Sequence, residues 1–402
     1  MTSIKSNILE LAIFGANSIF PQQLCVNRPN IGSKKEYYKR LDKMFENRLF
    51  TNDGPYVQEL EQKIATYLNV KHCILTCNGT MALQLICKAL KLKGEVILPS
   101  FTFIATAHAL EWQGLTPVFC DIKAQSHNID PDSCLKLIND NTSAILGVHL
   151  WGRGCHVNEL VTIARDNDLK LFFDAAHSFG SCYKDIQIGG FGDAEAFSFH
   201  ATKAFNTFEG GAVTTNNSDL ANRIKNLRNF GFIDYDSVDG LGINAKMPEV
   251  CAAMGLTNLE SFKITVQKNK HIFSCYSHYM NKIKGLTVID YHDKSNYQYV
   301  VVEVEEKKLG VSRDELICVL HAENIYVRRY FYPGCHLMEP YVSRNVMSQA
   351  KMLETERLTK KILVFPSGFD VTESVVKKIF HIIEKVANYA IEVKAQLKTF
   401  QI

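Results

Sequence analysis

Between Cys73 and Phe199 the chain alternates short apolar runs with helix-like stretches. That rhythm leaves little choice but an α/β fold on a largely parallel sheet. Cys73-Ile74-Leu75-Thr76 reads as the first strand, and Asn78-Gly79-Thr80 then opens a helix through Ile86. Glu95-Val96-Ile97-Leu98 is a second strand, stopped by Pro99, and Phe101 to Leu110 has helical character. Pro117 to Ile122, Ser143 to Leu150, Leu169 to Phe173 and Ala194 to Phe199 continue the series. In such sheets ligand groups gather at strand ends. Asp174 and Ser198 stand at two of those ends, and Thr80 sits at a helix start.

The texture changes after Lys263. Gln298 to Val304 alternates like an antiparallel strand, and Arg313 to His321 and Glu373 to Ala395 read as amphipathic helices. The pattern predicts an N-terminal arm and large domain over 1–264, and a smaller α+β domain over 265–402. Asp236 to Gly240 reads as an exposed turn.

Composition excludes several classes. The chain has 402 residues, 46% hydrophobic and 22% charged, enough for a large core and a second domain. Its net charge of +3 gives no overall pull toward nucleic acid or an anionic membrane. No run reaches membrane-spanning length, and Ile8 to Phe20 lacks the features of a secretory leader. The 12 cysteines are scattered without a CxxC pair, as expected of reduced thiols in a cytoplasmic protein. Cys73 and Cys77 flank a strand, where burial is their expected role. His149, Cys155 and His156 fall close together but match no common zinc spacing, so no metal is expected.

The chemistry centres on Lys203, in the run Phe197-Ser198-Phe199-His200-Ala201-Thr202-Lys203-Ala204-Phe205. A lysine attacks a carbonyl only as the neutral amine, and the aromatic neighbours Phe197, Phe199, Phe205 and Phe208 offer desolvation. Asp174-Ala175-Ala176-His177 lies upstream. Asp174 reads equally as a helix N-cap or as the partner of a cofactor's pyridinium nitrogen. Together, Lys203 and Asp174 are what an enzyme needs to hold pyridoxal phosphate, the lysine as a Schiff base. Gly79 and Thr80 offer a phosphate a helix start, and Ser198 adds a hydroxyl. Phe103 is a candidate to stack on the pyridine ring, and a core aromatic otherwise. His177 reads as a ring contact or as an ordinary helix histidine.

Glu209-Gly210-Gly211 reads as a substrate-contacting turn or a plain strand entry, its glycines allowing a close backbone approach. Asn244 and Lys246 precede a small-residue helix and suit a phosphate or a solvated loop. Arg328-Arg329-Tyr330-Phe331-Tyr332-Pro333, followed by His336, interleaves cations and aromatics as a pyrophosphate and a stacked base would require. A solvated basic edge strand would read the same way.

Taken in order, these residues resemble the sugar-nucleotide aminotransferases of the DegT/DnrJ/StrS type, fold type I of the pyridoxal phosphate enzymes. The landmarks also include Thr51-Asn52-Asp53-Gly54-Pro55-Tyr56-Val57, Pro99-Ser100-Phe101-Thr102-Phe103 and Gly242-Ile243-Asn244-Ala245-Lys246-Met247, and the likeness runs from about Phe50 to Pro366. The resemblance implies a mostly parallel seven-stranded sheet in the large domain and a homodimer with shared active sites. It makes Lys203 the Schiff-base lysine and the base for a 1,3-proton shift. Asp174 would pair with the ring nitrogen, His177 would lie by the phenolic oxygen, and Phe103 would stack where some members have tryptophan. Gly79, Thr80 and Ser198 would hold the phosphate, with Asn244 and Lys246 reaching the partner's cofactor. Glu209, Arg328, Arg329, Tyr330 and His336 would meet the nucleotide sugar.

Relatives that replace the lysine with histidine are dehydratases, and Lys203 favours transamination. Phe-Ser-Phe-His-x-x-Lys with Glu-Gly-Gly is the pattern of members that aminate C-4 of a 4-keto-6-deoxy sugar. C-3 members tend to carry Phe-Ser-Phe-Tyr-Pro-x-Lys with Gly-Asp. Phe205-Asn206-Thr207-Phe208 is similar to enzymes forming dTDP-4-amino-4,6-dideoxyglucose. The expectation is transfer of nitrogen from L-glutamate through pyridoxamine phosphate to C-4 of a nucleotide sugar, for surface polysaccharide or O-antigen. The alternatives are C-3 amination and, further off, a cofactor-bound protein without turnover. The extended N-terminus, Met1 to about Pro29, departs from the family pattern without a functional reading.

Overall fold

The computed structural model describes residues 7–26, 28–344 and 351–399. Residues 1–6 and 27 of the N-terminal extension lie outside the described residues. The large sheet has seven strands: β1 (His72–Thr76), β2 (Glu95–Pro99), β3 (Thr116–Cys120), β4 (Thr142–Val148), β5 (Lys170–Asp174), β6 (Ala194–Ser198) and β7 (Gly211–Thr215). Their order is β1-β7-β6-β5-β4-β2-β3. From β3 to β6 every neighbouring pair is parallel. Only β7 runs against its neighbours, pairing Gly211 with both Thr76 and Ser198.

The strands are apolar throughout rather than alternating because both faces are covered. Successive side chains feed opposite cores. Val96, Leu98, Ala144, Leu146 and Phe172 enter one cluster, and Ile97, Ile145, Leu171 and Phe173 the other. This buries the expected strands to within a residue or two of their sequence limits. The predicted helix from Phe101 starts later, at Ile104, with Phe103 as its N-cap. The stretch Glu373 to Ala395 is two helices, Glu373–Asn388 and Ala390–Thr399.

A second layer carries an antiparallel sheet of β8 (Leu286–Val288), β9 (Val300–Val304) and β10 (Ile362–Phe365). The helix Glu249–Met280 runs unbroken across residue 264. Its first half packs Ala252, Leu256 and Phe262 under the large sheet, and its second half gives Ile272, Tyr276 and Met280 to the other core. Leu11, Ile13, Ile19 and Leu24 join that second core from the N-terminus. The extension is held there by Glu323, which is fully buried and accepts Ala12 N–H and Ile19 N–H, each at 2.7 Å. Leu24–Cys25 adds a short parallel pairing with Ile325–Tyr326. Another cluster joins Phe101, Val148 and Trp151 to Tyr299, Val301, Phe331 and Val364, setting the second layer against the open end of the large sheet. Among the described residues no helix is long and apolar enough to cross a membrane.

Candidate active site

The parallel strands end together, and β7 begins there because it runs the other way. A cavity of about 560 Å³ opens at that edge. Its walls carry Gly79, Thr80, Phe103, Asp174, His177, Ser198, Lys203, Glu209, Arg328 and Tyr330 of the residues expected from sequence.

Asp174 closes β5 and is 7% exposed. No helix follows it, so its capping is of the turn at 175–178 rather than of a helix. Oδ1 accepts the Ala176 N–H at 3.0 Å, as a cap does, while Oδ2 accepts the Thr106 hydroxyl at 2.8 Å. The carboxylate is thereby fixed beside the cavity.

Lys203 lies in the loop after β6, which Phe199 and Gly210 close by a backbone hydrogen bond of 2.8 Å. Burial lowers its amine to about 8, against an opposing upward pull from Asp174. A usable share of neutral amine therefore exists near neutral pH. Of the four phenylalanines expected around it, Phe197 lines the cavity with Lys203 and the others do not. Phe199 and Phe205 point into a separate aromatic core with Phe179 and Phe262, and Phe208 packs on Tyr37. The aromatic partner of the amine is Tyr299, whose hydroxyl accepts from Lys203 Nζ at 3.4 Å.

His177 has its Nδ1 3.3 Å from the Trp151 N–H, so Nδ1 accepts and the neutral ring carries its proton on Nε2. Burial, then the charge of Lys203, holds it well below the usual histidine range. It is therefore a neutral donor. The indole of Trp151 stacks against His177 and Phe331, at 5.9 and 5.3 Å, and those two rings lie 6.2 Å from each other.

Gly79 starts the helix Gly79–Ala89, capped by Asn78 Oδ1 on the Met81 N–H at 2.8 Å. A Cβ on Gly79 would sit 2.9 Å from Ser198 Cβ, and one on Gly211 2.5 Å from the Asn78 carbonyl carbon. The close approach permitted by the glycine pair is thus internal. It brings the Gly79 helix start down onto the end of β6, and Gly79, Thr80 and Ser198 line the cavity together, a donor set suited to phosphate.

Phe103 is 56% exposed, its ring bare in the cavity wall rather than buried in the core. His200 Nε2 lies 3.4 Å from Glu209 Oε1 at the rim. Arg328 and Tyr330 reach the rim from the chain beside β10, where Arg328 N–H meets Val364 O at 3.0 Å. Arg329 lines only an adjoining cavity of about 620 Å³, with its guanidinium over Tyr332 and 3.2 Å from Asp314.

Besides Arg329, three expected residues stand apart from this chain's cavity lining. Asn244 bridges to Asn229, and Lys246 Nζ donates to Asn229 Oδ1 at 2.7 Å over the Phe230 ring. His336 is nearly buried, with Nδ1 2.6 Å from Ser100 Oγ and Nε2 3.6 Å from Glu356. Thr106, Trp151 and Tyr299 were missed by sequence reasoning. Nothing local distinguishes them from core residues.

A buried carboxylate, a desolvated lysine, a neutral histidine, a bare aromatic face and a phosphate-ready helix start fit one cofactor, pyridoxal phosphate. With this strand order they define a pyridoxal phosphate-dependent aminotransferase of fold type I. More specifically, the chain belongs to the DegT/DnrJ/EryC1/StrS aminotransferase family, whose model matches residues 32–384. It is 36% identical over 363 residues to dTDP-4-amino-4,6-dideoxy-D-glucose transaminase of Shigella dysenteriae, covering 90% of this chain and 98% of that one. The Escherichia coli protein of the same name is 35% identical over 359 residues, covering 88% and 96%. Among solved structures, DesI in the presence of its TDP-sugar product superposes with a TM-score of 0.94 at 42% identity, over 98% of this chain and 100% of that one.

Proposed function

We propose that this aminotransferase moves an amino group from L-glutamate to C-4 of a nucleotide-linked 4-keto-6-deoxyhexose, dTDP-4-keto-6-deoxyglucose, in a cytoplasmic route to surface polysaccharide or O-antigen. The observation that carries the proposal is the pairing of Lys203 with the His200–Glu209 contact at the cavity rim. That pair realises the His and Glu-Gly-Gly pattern of C-4 enzymes. The names of the two transaminase relatives and the TDP-sugar product of DesI support the same substrate class.

When bound, pyridoxal phosphate supplies the electron sink that loosens a proton on the amine-bearing carbon. Gly79, Thr80 and Ser198 would bind its phosphate, Phe103 would cover its ring, Asp174 would keep its nitrogen protonated and His177 would donate from Nε2 to its phenolic oxygen. Lys203 anchors it and moves the proton at Nζ. Glu209, Arg328, Arg329 and Tyr330 orient the nucleotide sugar, with His336 holding their segment at Ser100. Asn244 and Lys246 complete the phosphate site of a partner subunit in a homodimer. The domain division falls near residue 264, inside the helix Glu249–Met280.

Incubation with glutamate and either dTDP-4-keto-6-deoxyglucose or its 3-keto isomer, followed by NMR of the product, tests the regiochemistry. The expected product is a C-4 amine with release of 2-oxoglutarate. A C-3 amine overturns the position, and no 2-oxoglutarate with any keto sugar overturns the activity. Lys203→Ala abolishes the visible absorbance of the covalently bound cofactor.

A further inference from the structure

Tyr299 enters the cavity from the second layer, just before β9. Its ring is 3% exposed and lies 4.3 Å from the His177 ring, centroid to centroid. Its carbonyl is tied to that of Trp151, because the Tyr291 hydroxyl contacts Tyr299 O at 2.7 Å and Trp151 O at 3.0 Å. A ring in this place needs no hydroxyl in order to pack. Yet the hydroxyl meets Nζ of Lys203, the one lysine in the described lining of the cavity, at 3.4 Å.

We infer that Tyr299 is a further catalytic residue, whose hydroxyl oxygen receives an N–H of Lys203 and steers the lone pair of the neutral amine toward the reacting carbon. The inference rests on Lys203 being the lysine that reacts. In the proton shift a C–H bond of the bound substrate breaks, its electron pair stays with carbon, and the proton becomes the third N–H on Nζ. The same proton then goes to the carbon on the far side of the shared nitrogen, completing the 1,3-shift, and leaves the amine neutral again, with no oxidant or reductant consumed. While Nζ is an ammonium, its contact with the phenol oxygen is charge-assisted and roughly twice as strong as before. The hydroxyl thus stabilises the transfer more than the ground state, which raises kcat rather than affinity. A contact of 3.4 Å before substrate arrives is of the kind that tightens in the reacting complex.

Tyr299→Phe keeps the ring beside His177 and deletes only the oxygen, whereas Tyr299→Leu removes both. The expected result for Y299F is a kcat about 10-fold lower with KM for both substrates nearly unchanged, the signature of an interaction made in the transition state. The kinetic isotope effect with glutamate deuterated at Cα rises, because proton transfer becomes slower relative to other steps. In cofactor-free protein, the visible band also forms more slowly when pyridoxal phosphate is added to Y299F. An unchanged kcat, isotope effect and rate of band formation overturns the inference. So does equal loss of activity and melting temperature in Y299F and Y299L, which would mean that the ring only packs. A wild-type protein without the band, or a Lys203→Ala variant that keeps it, refutes the reading of Lys203 instead.

Discussion

Thr106 donates its hydroxyl to Asp174 Oδ2 at 2.8 Å, and Thr102 Oγ1 lies 2.9 Å behind it. This short chain of hydroxyls holds one oxygen of the carboxylate while the Ala176 N–H holds the other. Thr106→Val keeps the shape and removes the donor. The expected outcome is cofactor affinity weakened about 10-fold, in line with a hydrogen bond to a charged group, read by equilibrium dialysis against free pyridoxal phosphate. Unchanged affinity would mean that the Ala176 N–H suffices.

The amine of Lys203 titrates at about 8, lowered by burial and raised in part by Asp174. Only the neutral form captures the cofactor, so the rate of capture by cofactor-free protein should rise with pH through about 8 and then level off. Asp174→Asn removes the charge that favours the ammonium and should move that midpoint to lower pH. Stopped-flow absorbance across a pH series checks both. A wild-type midpoint near the ordinary lysine value would show a solvated amine.

Gly211 leaves room for the helix start above it. In Gly211→Ala the new Cβ would stand 2.5 Å from the Asn78 carbonyl carbon. That overlap should cost about 2 kcal/mol of stability and push Gly79 away from Ser198. Denaturant unfolding reports the first effect, and inorganic phosphate competition with the cofactor reports the second.

Glu323 ties the N-terminal extension to the second layer through Ala12 and Ile19. Glu323→Ala leaves those N–H groups without their acceptor, at a cost of about 2 kcal/mol. The substitution lies outside the lining of the cavity, so the unfolding midpoint should fall while kcat stays the same. A loss of kcat at unchanged stability would give the extension a catalytic part.

The strands, the helix start at Gly79 and the strand-end positions of Asp174 and Ser198 were legible because each is written in adjacent residues. Apolar runs of strand length and the N-cap Asn78 are local signals. The glycine pair was read correctly as a close approach, but its neighbour was not visible, since Asn78 belongs to a different strand connection. His336 was read with the substrate, whereas its fold position places it against Ser100. Arg329 was read with the substrate too, yet it lines the adjoining cavity, with its guanidinium over Tyr332 and beside Asp314.

The sequence by itself determined the α/β rhythm, the lysine and the polar groups at the strand ends, because periodicity and residue type act over a few neighbours. Tertiary structure alone decided what those groups do to one another. Thr106 meets Asp174 across 68 residues, and Tyr299 meets Lys203 across 96. Strand order and the seating of the second layer set those distances. Burial created by that packing is what brings Lys203 down toward neutrality.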